Sequence, residues 1–236
     1  MIYITGDTHG EHARFFGADQ NLSRSTVDYQ PFDSVLKAGD ILIVCGDFGY
    51  LIYNSIEEEM FFNEIATRPY TVCFVDGNHE NFPALNRFPV EEWNGGKIHR
   101  IRNNIFHLMR GQIFTIDGKT FFTFGGAYSI DRPYRVLNYS YWEEEMPCKE
   151  DYDEALRNLN AHNLTVDYVL THTAPGMLIP IMGFHSDQHS IEMDNFLDYI
   201  YMDVHFRHWY CGHWHIDKQV TDRFTVLWYD RVCLDD

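Results

Sequence analysis

Eight residues in this chain have the types and positions to hold metal ions and move protons: Asp7, His9, Asp47, Asn78, His79, His172, His213 and His215. They arrive in five short runs: Gly6-Asp7-Thr8-His9-Gly10, Gly46-Asp47, Gly77-Asn78-His79-Glu80, His172 and Gly212-His213-Trp214-His215. Carboxylate, amide oxygen and imidazole together form a mixed oxygen and nitrogen donor set without thiolate. Such a set suits Mn, Fe, Zn or Ni rather than soft-metal or cluster chemistry. With His79 set aside, the seven remaining donors exceed what one ion needs. They fit two divalent ions sharing a bridging carboxylate, roughly 3.5–4 Å apart in the usual two-metal arrangement. Two such ions bind phosphoryl oxygens, cancel their charge and supply a bridging hydroxide for in-line attack on a phosphate ester. A histidine outside the ligand set can then protonate the leaving oxygen, because its pKa lies near working pH. His79, beside Asn78, is that candidate.

Each residue alone has a plainer reading. Asp and Asn routinely close turns after strands. His213 and His215 alternate, so on a strand they share one face and fit a surface pair as well as a ligand pair. The remaining histidines (His12, His99, His107, His162, His185, His189, His205 and His208) read as solvated or structurally satisfied. Only the joint set argues for chemistry.

The elements that must position this set are apolar strands. Met1-Ile2-Tyr3-Ile4-Thr5, Ile41-Leu42-Ile43-Val44-Cys45, Val72-Cys73-Phe74-Val75, Asp167-Tyr168-Val169-Leu170-Thr171 and Arg207-His208-Trp209-Tyr210-Cys211 each run directly into one of the polar runs. Apolar, β-branched runs that stop at glycine read as buried strands feeding loops at their carboxyl ends. In open α/β sheets those ends are where ligands bind.

Taken in order, Asp7-Thr8-His9, Gly46-Asp47, Gly77-Asn78-His79-Glu80, His172 and Gly212-His213-Trp214-His215 resemble the five motifs of the calcineurin-like metallophosphoesterase superfamily. The resemblance implies an α/β fold, a four-layer αββα sandwich of two mixed β-sheets flanked by helices. It implies that Asp7, His9, Asp47 and His215 hold one metal, and that Asp47, Asn78, His172 and His213 hold the other, with Asp47 as the bridge. It implies that His79 is the proton donor or a phosphate contact. The motifs look most like those of the protein Ser/Thr phosphatase branch. That branch carries GDxxDRG in its second motif, whereas Tyr50 and Leu51 stand here at the Asp and Arg positions. The chain is thus placed among small bacterial or phage-type members, with Arg132 or Arg135 as substitute phosphate-binding residues.

The chain is 236 residues long, with a formal charge of −17, and is 45% hydrophobic and 16% aromatic. This fits a single domain over residues 1–236 with a sizeable core. The negative charge disfavours long nucleic acids, although bound cations can invert the field locally. Phosphorylated small molecules, nucleotides and phosphoproteins all remain suitable substrates. The five cysteines show no CxxC spacing, which points to a reducing compartment. With no apolar run of spanning length and no basic leader, the expected location is cytoplasmic.

Between the motifs, residues 11–20 and 32–38 read as helices, with a loop over 21–31. Ser55 and Glu58 form a capping-box pattern that opens a helix, and Pro69 stops it. Residues 98–126 read as one antiparallel meander with a tight turn at Asp117-Gly118. Residues 125–147 are irregular and therefore functional or mobile. They carry Asp131, Arg132 and Arg135, a solvated run Glu143-Glu144-Glu145, and Tyr139, Tyr141 and Trp142 as a lid or a stacking surface. Residues 150–162 and 190–201 read as helices. Residues 175–188 read as a loop whose His185, with His189 just beyond it, can reach the pocket. Lys218–Thr221 and Phe224–Tyr229 read as a closing hairpin. Two other functions stay open: a nucleotide pyrophosphatase or phosphodiesterase/nuclease on the same site, and a non-catalytic scaffold of the same fold.

Overall fold

The computed structural model describes residues 1–17, 30–49, 53 and 55–234. Among them, seven strands form one sheet: β1 (Ile2–Thr5), β2 (Ile41–Val44), β3 (Thr71–Phe74), β4 (Val90–Trp93), β5 (Gly96–Arg102), β6 (Ile105–Leu108) and β13 (Arg231–Leu234), in the order β13-β1-β2-β3-β6-β5-β4. Six form a second sheet: β7 (Gln112–Ile116), β8 (Lys119–Phe124), β9 (Tyr168–Thr171), β10 (His208–Cys211), β11 (Lys218–Thr221) and β12 (Phe224–Val226), in the order β11-β12-β10-β9-β8-β7. Both sheets are mixed. Strands β1, β2, β3 and β6 run parallel, as do β8, β9, β10 and β12, and antiparallel strands flank each set.

The layering follows from strand alternation. Ile2 and Ile4 of β1, Ile43 of β2 and Cys73 of β3 face Phe121, Leu170 and Tyr210 of the second sheet, forming the inter-sheet core. Their neighbours Tyr3, Leu42, Val44, Val72 and Phe74 point the other way. They pack on Phe15 of α1 (His12–Phe16), Phe32 of α2 (Phe32–Val35) and Phe61, Phe62 and Ile65 of α3 (Ile56–Ile65). On the far side, Phe122, Val169 and Trp209 pack on α5 (Lys149–Ala161), α6 (Ile179–Met182) and α7 (Ile191–Asp203). Helix, sheet, sheet, helix is the four-layer α/β arrangement. Strands buried on both faces must be apolar throughout, which is why the strands before the motifs read as unbroken hydrophobic runs. Each fully buried Leu, Ile or Phe contributes about 1.5–3 kcal/mol.

Helix α3 begins as its sequence predicts. Glu58 N–H donates to Ser55 Oγ at 3.2 Å, and Ser55 N–H donates to Glu58 Oε2 at 3.1 Å. The turn between β7 and β8 also forms, with Asp117 at φ 47° and Gly118 at φ 74°. That left-handed pair suits Asp-Gly in a two-residue hairpin.

Four expectations are corrected. Residues 98–126 are two hairpins rather than one meander. β5 and β6 close in the first sheet, whereas β7 and β8 close in the second. Each hairpin joins a parallel partner, β3 or β9, and the crossing at Gly111 (φ 70°) is tight enough that a Cβ would lie 2.8 Å from Ala155 N. Residues 175–188 are not all loop: Gly176–Leu178 form a 3₁₀ turn that leads into α6, with Pro180 tolerated in its first turn. The C-terminal hairpin forms, but β12 ends at Val226 and the described chain does not close there. Residues Arg231–Leu234 return to the first sheet as β13, antiparallel to β1. The run Glu143–Glu145 is solvated only in part: Glu143 and Glu144 are exposed, whereas Glu145 is fully buried. β4 and the short α4 (Phe82–Leu85) were not anticipated. The outer part of the 11–20 helix, most of the 21–31 loop and the positions Tyr50 and Leu51 lie outside the described residues. No helix among the described residues is long and apolar enough to cross a membrane.

Candidate metal centre

The carboxyl ends of β1, β2 and β3 deliver Asp7, His9, Asp47, Asn78 and His79, and the ends of β9 and β10 deliver His172, His213 and His215. The two sheets place these ends together, and all eight side chains meet in one site. Asp7, His9 and His215 form one group of converging donor atoms, and Asp7, Asp47 and His172 another. On one side, His215 Nε2 lies 3.2 Å and His9 Nε2 3.6 Å from Asp7 Oδ2, and the two Nε2 atoms are 2.8 Å apart. On the other side, Asn78 Oδ1 lies 2.9 Å from His172 Nε2 and 3.1 Å from His213 Nδ1. Asp47 stands between: its Oδ2 is 3.9 Å from His9 Nδ1 and 3.5 Å from His172 Nε2.

The backbone is bent to achieve this. His9, Asp47, His213 and His215 all adopt positive φ, at 46°, 46°, 67° and 49°. Non-glycine residues in that region cost on the order of 1–3 kcal/mol each, and such strain gathers at functional sites. The neighbouring glycines are required by close approach. A Cβ on Gly46 would sit 2.1 Å from the His172 ring, one on Gly77 2.1 Å from Asp47 Oδ1, and one on Gly212 2.0 Å from Asp7 Oδ1.

The surroundings aim the donors. His172 is fully buried, and its Nδ1 bonds to the carbonyl of Cys45 at 2.8 Å, which leaves Nε2 for the centre. This second bond is the usual way a metal-binding imidazole is oriented. Asn78 donates its Nδ2 to Ser129 Oγ at 2.8 Å, so its Oδ1 faces the histidines. Ser129 in turn donates from its hydroxyl and its backbone N–H to Glu145 at 2.9 and 2.8 Å. Glu80, also buried, accepts from Phe48 N–H at 2.7 Å and Gly77 N–H at 2.6 Å, tying the Asp47 loop to the Asn78 loop. Arg14 of α1 donates to the backbone carbonyl of Asp7, to Thr5 and to the carbonyl of Trp228.

Electrostatics agree with an ionised acceptor site. Burial pushes the Asp7 carboxyl up, but the charge of His172 and the bonds from His215 and His9 outweigh it and hold its pKa at about 2. Asp47 is likewise held well below the usual carboxylate range by His172, against the opposing effect of burial. The same two carboxylates overcome burial at His172 and push its imidazole up to about 10. Burial and the charge of His172 hold His213 down at about 3. Ionised carboxylates, an amide oxygen and imidazoles that shed protons on binding are a donor set that fits divalent cations.

The two arginines separate. Arg132 pairs with buried Glu145 at 2.7 Å and lies over the rings of Tyr128 and Tyr141. Arg135 pairs with Asp131 at 2.7 Å and lies against His79, with its terminal nitrogens 2.8 and 3.1 Å from the ring nitrogens. His79 Nε2 is 3.8 Å from Asp47 Oδ2. Burial and the Arg135 charge lower the His79 pKa, and Asp47 opposes them. Trp142 does not belong to a lid, because it is 2% exposed, whereas Tyr139 is open to solvent. His189 bonds to Asp187 and stacks on Tyr128, and His185 lines a cavity beside His213.

Sequence reasoning missed Ser129, Glu145, Glu80 and Arg14 as supports of the site. Only Glu80, the last residue of the Gly77-Asn78-His79-Glu80 motif, carried a local signal.

The sequence model of the calcineurin-like phosphoesterase family matches residues 1–217. The chain belongs to this family, whose members act on phosphate esters and bind divalent metals. No curated protein matches the chain.

Proposed function

We propose that this chain is a dinuclear metal-dependent phosphoesterase. The observation that carries the reading is the place of Asp47, a buried carboxylate that, like Asp7, reaches both donor clusters. Asp7, His9, Asp47 and His215 would hold one ion, and Asp47, Asn78, His172 and His213 the other. Divalent ions such as Mn²⁺ or Fe²⁺ supply charge neutralisation and a nucleophilic water at neutral pH when bound.

The chain's own residues do the rest. His79 and Arg135 stand side by side at the edge of the site. Arg135 offers a guanidinium to the phosphate oxygens, in the place of the arginine missing after Asp47. His79 serves as proton donor to the leaving oxygen or as a phosphate contact. The left-handed backbone at His9, Asp47, His213 and His215 holds the donors in place before substrate arrives. Both sheets supply donors to one site, which supports reading residues 1–236 as a single domain. The cysteines are all free thiols, which supports a reducing, cytoplasmic setting.

The test is release of p-nitrophenol from mono- and bis-(p-nitrophenyl) phosphate, run side by side with Mn²⁺ and with chelator. Metal-dependent release from either supports the reading, and the preferred ester separates monoesterase from diesterase activity. Metal-independent release, or none from a sample holding two ions per chain, contradicts it.

A further inference from the structure

A cavity of about 300 Å³ opens beside His213. That volume is at the small end of the range for organic ligands. Its walls include Tyr128, Ile179, Phe184 and Trp214, and nothing the phosphate chemistry uses lies in it except His213. Phe184 and Trp214 pack against each other at a tilt, with ring centroids 4.9 Å apart. Trp214 packs edge-on against His213 at 5.1 Å, so the apolar wall is continuous with the donor cluster.

Two polar groups in this cavity have hydrogen-bonding capacity to spare: Trp214 Nε1, a buried donor with no partner among the described residues, and Asp194. Asp194, in the first turn of α7, is 6% exposed. Ser186 donates its hydroxyl to Asp194 Oδ2. Asp194 Oδ1 accepts no hydrogen bond from the described residues. With one hydroxyl partner on Oδ2, the carboxylate keeps Oδ1 as an acceptor for a donor that a ligand brings into the cavity. Phe184 and Trp214 in the same wall also offer ring faces that attract a ligand ammonium.

We propose that this cavity is the subsite for the organic half of the substrate, and that it selects a phosphate ester whose leaving group carries an amino group donating N–H to Asp194. The phosphate would lie at the donor cluster and the organic body against Trp214 and Phe184. The inference rests on the phosphoesterase reading and names the class of substrate for that site. An alkyl ammonium and an aromatic amine share this chemistry, and the test separates them.

The Mn²⁺-loaded protein is assayed on two pairs of esters. Tyramine O-phosphate is set against phenyl phosphate, and adenosine 5′-phosphate against inosine 5′-phosphate. The inference expects kcat/KM at least fivefold higher for the amino member of one pair. Asp194→Asn should erase that preference and leave turnover of the comparator ester unchanged. Ser190→Phe, at a cap position whose hydroxyl makes no capping bond, should fill the cavity and erase the preference as well. The pair that shows the preference identifies ammonium or aromatic amine. Equal kcat/KM within both pairs, or a preference that survives Asp194→Asn, overturns the inference. Turnover of none of the four esters contradicts the phosphoesterase reading instead. Calorimetric titration then still decides the cavity: tyramine binding tighter than phenol, and weakened by Asp194→Asn, supports it, and equal binding overturns it.

Discussion

The two donor clusters are built differently. In the inner cluster, His172 is fully buried and Asn78 is 4% exposed. Each has a second bond that aims it, to the Cys45 carbonyl or to Ser129. In the outer cluster, the side chains of His9 and His215 are 30% and 48% exposed. His215 is steadied by stacking on Trp228, with ring centroids 5.1 Å apart, rather than by a hydrogen-bond relay. Asp7 and Asp47 are buried and touch both clusters. The difference teaches that the inner position is preorganised by the fold, whereas the outer one faces solvent and can adapt to what arrives. An ion in the inner position is expected to bind tighter and exchange more slowly.

The largest effect is expected where the two clusters join. Asp47→Asn removes the charge that both share and should lower kcat with either model ester by at least ~10²–10³-fold, the scale of losing one preorganised electrostatic contact. A steady-state assay with saturating Mn²⁺ checks this, and near-normal turnover would break the joint-ligand assignment. Next comes His79→Asn, expected to slow esters with poor leaving groups by ~10²-fold and nitrophenyl esters much less, as loss of a general acid should. Equal losses across a leaving-group series would instead make His79 a binding contact only.

Smaller effects separate inner from outer. Ser129→Ala and Glu145→Gln should weaken Mn²⁺ at the tighter of two calorimetric sites by ~10–100-fold, the usual cost of losing a ligand's supporting partner. His215→Ala should weaken only the looser site. The reverse pattern would invert the comparison.

The smallest effect is on stability, away from the centre. His99 Nδ1 is 3.0 Å from His107 Nδ1, and His107 Nε2 is 3.0 Å from Asp76 Oδ1, the carboxylate two residues before Asn78. Burial, and the neighbouring His107, hold the His99 imidazole down at about 4. Its ordinary value is about 6.5, so the unfolded chain takes the proton first. Its contribution to stability is therefore full above about pH 6.5 and is lost as pH falls towards 4. At about 1.36 kcal/mol per pH unit, the loss amounts to no more than ~3 kcal/mol. Chemical denaturation between pH 7 and pH 4 should show a shallower slope in His99→Gln than in wild type, and parallel slopes would refute this.

How far the sequence reached depended on the range of the interactions involved. Strands such as Ile41–Val44 are buried on both faces, and the apolar run and the glycine that ends it are adjacent in sequence. That made the sheet ends and all eight site residues legible. What failed was non-local. β13 is recognisable only by its partner, some 230 residues away at Ile2. β4, Val-Glu-Glu-Trp, is a polar edge strand whose charges guard against edge pairing and hide it from a hydrophobicity reading. The division of residues 98–126 between two sheets depends on β3 and β9, which lie outside that stretch. Glu145 reads as one of three solvated acids until Ser129 and Arg132 are seen to enclose it. Arg132 and Arg135 are indistinguishable in sequence, and only the fold turns one to Glu145 and the other to His79.

The central claim is that two ions share Asp47. Electron paramagnetic resonance of the protein titrated with Mn²⁺ tests it most directly. Two equivalents per chain with a spin-coupled Mn–Mn signal, replaced by an uncoupled signal in Asp47→Asn, is the predicted result. Saturation at one equivalent, or an uncoupled spectrum in the wild-type protein at two, would contradict it.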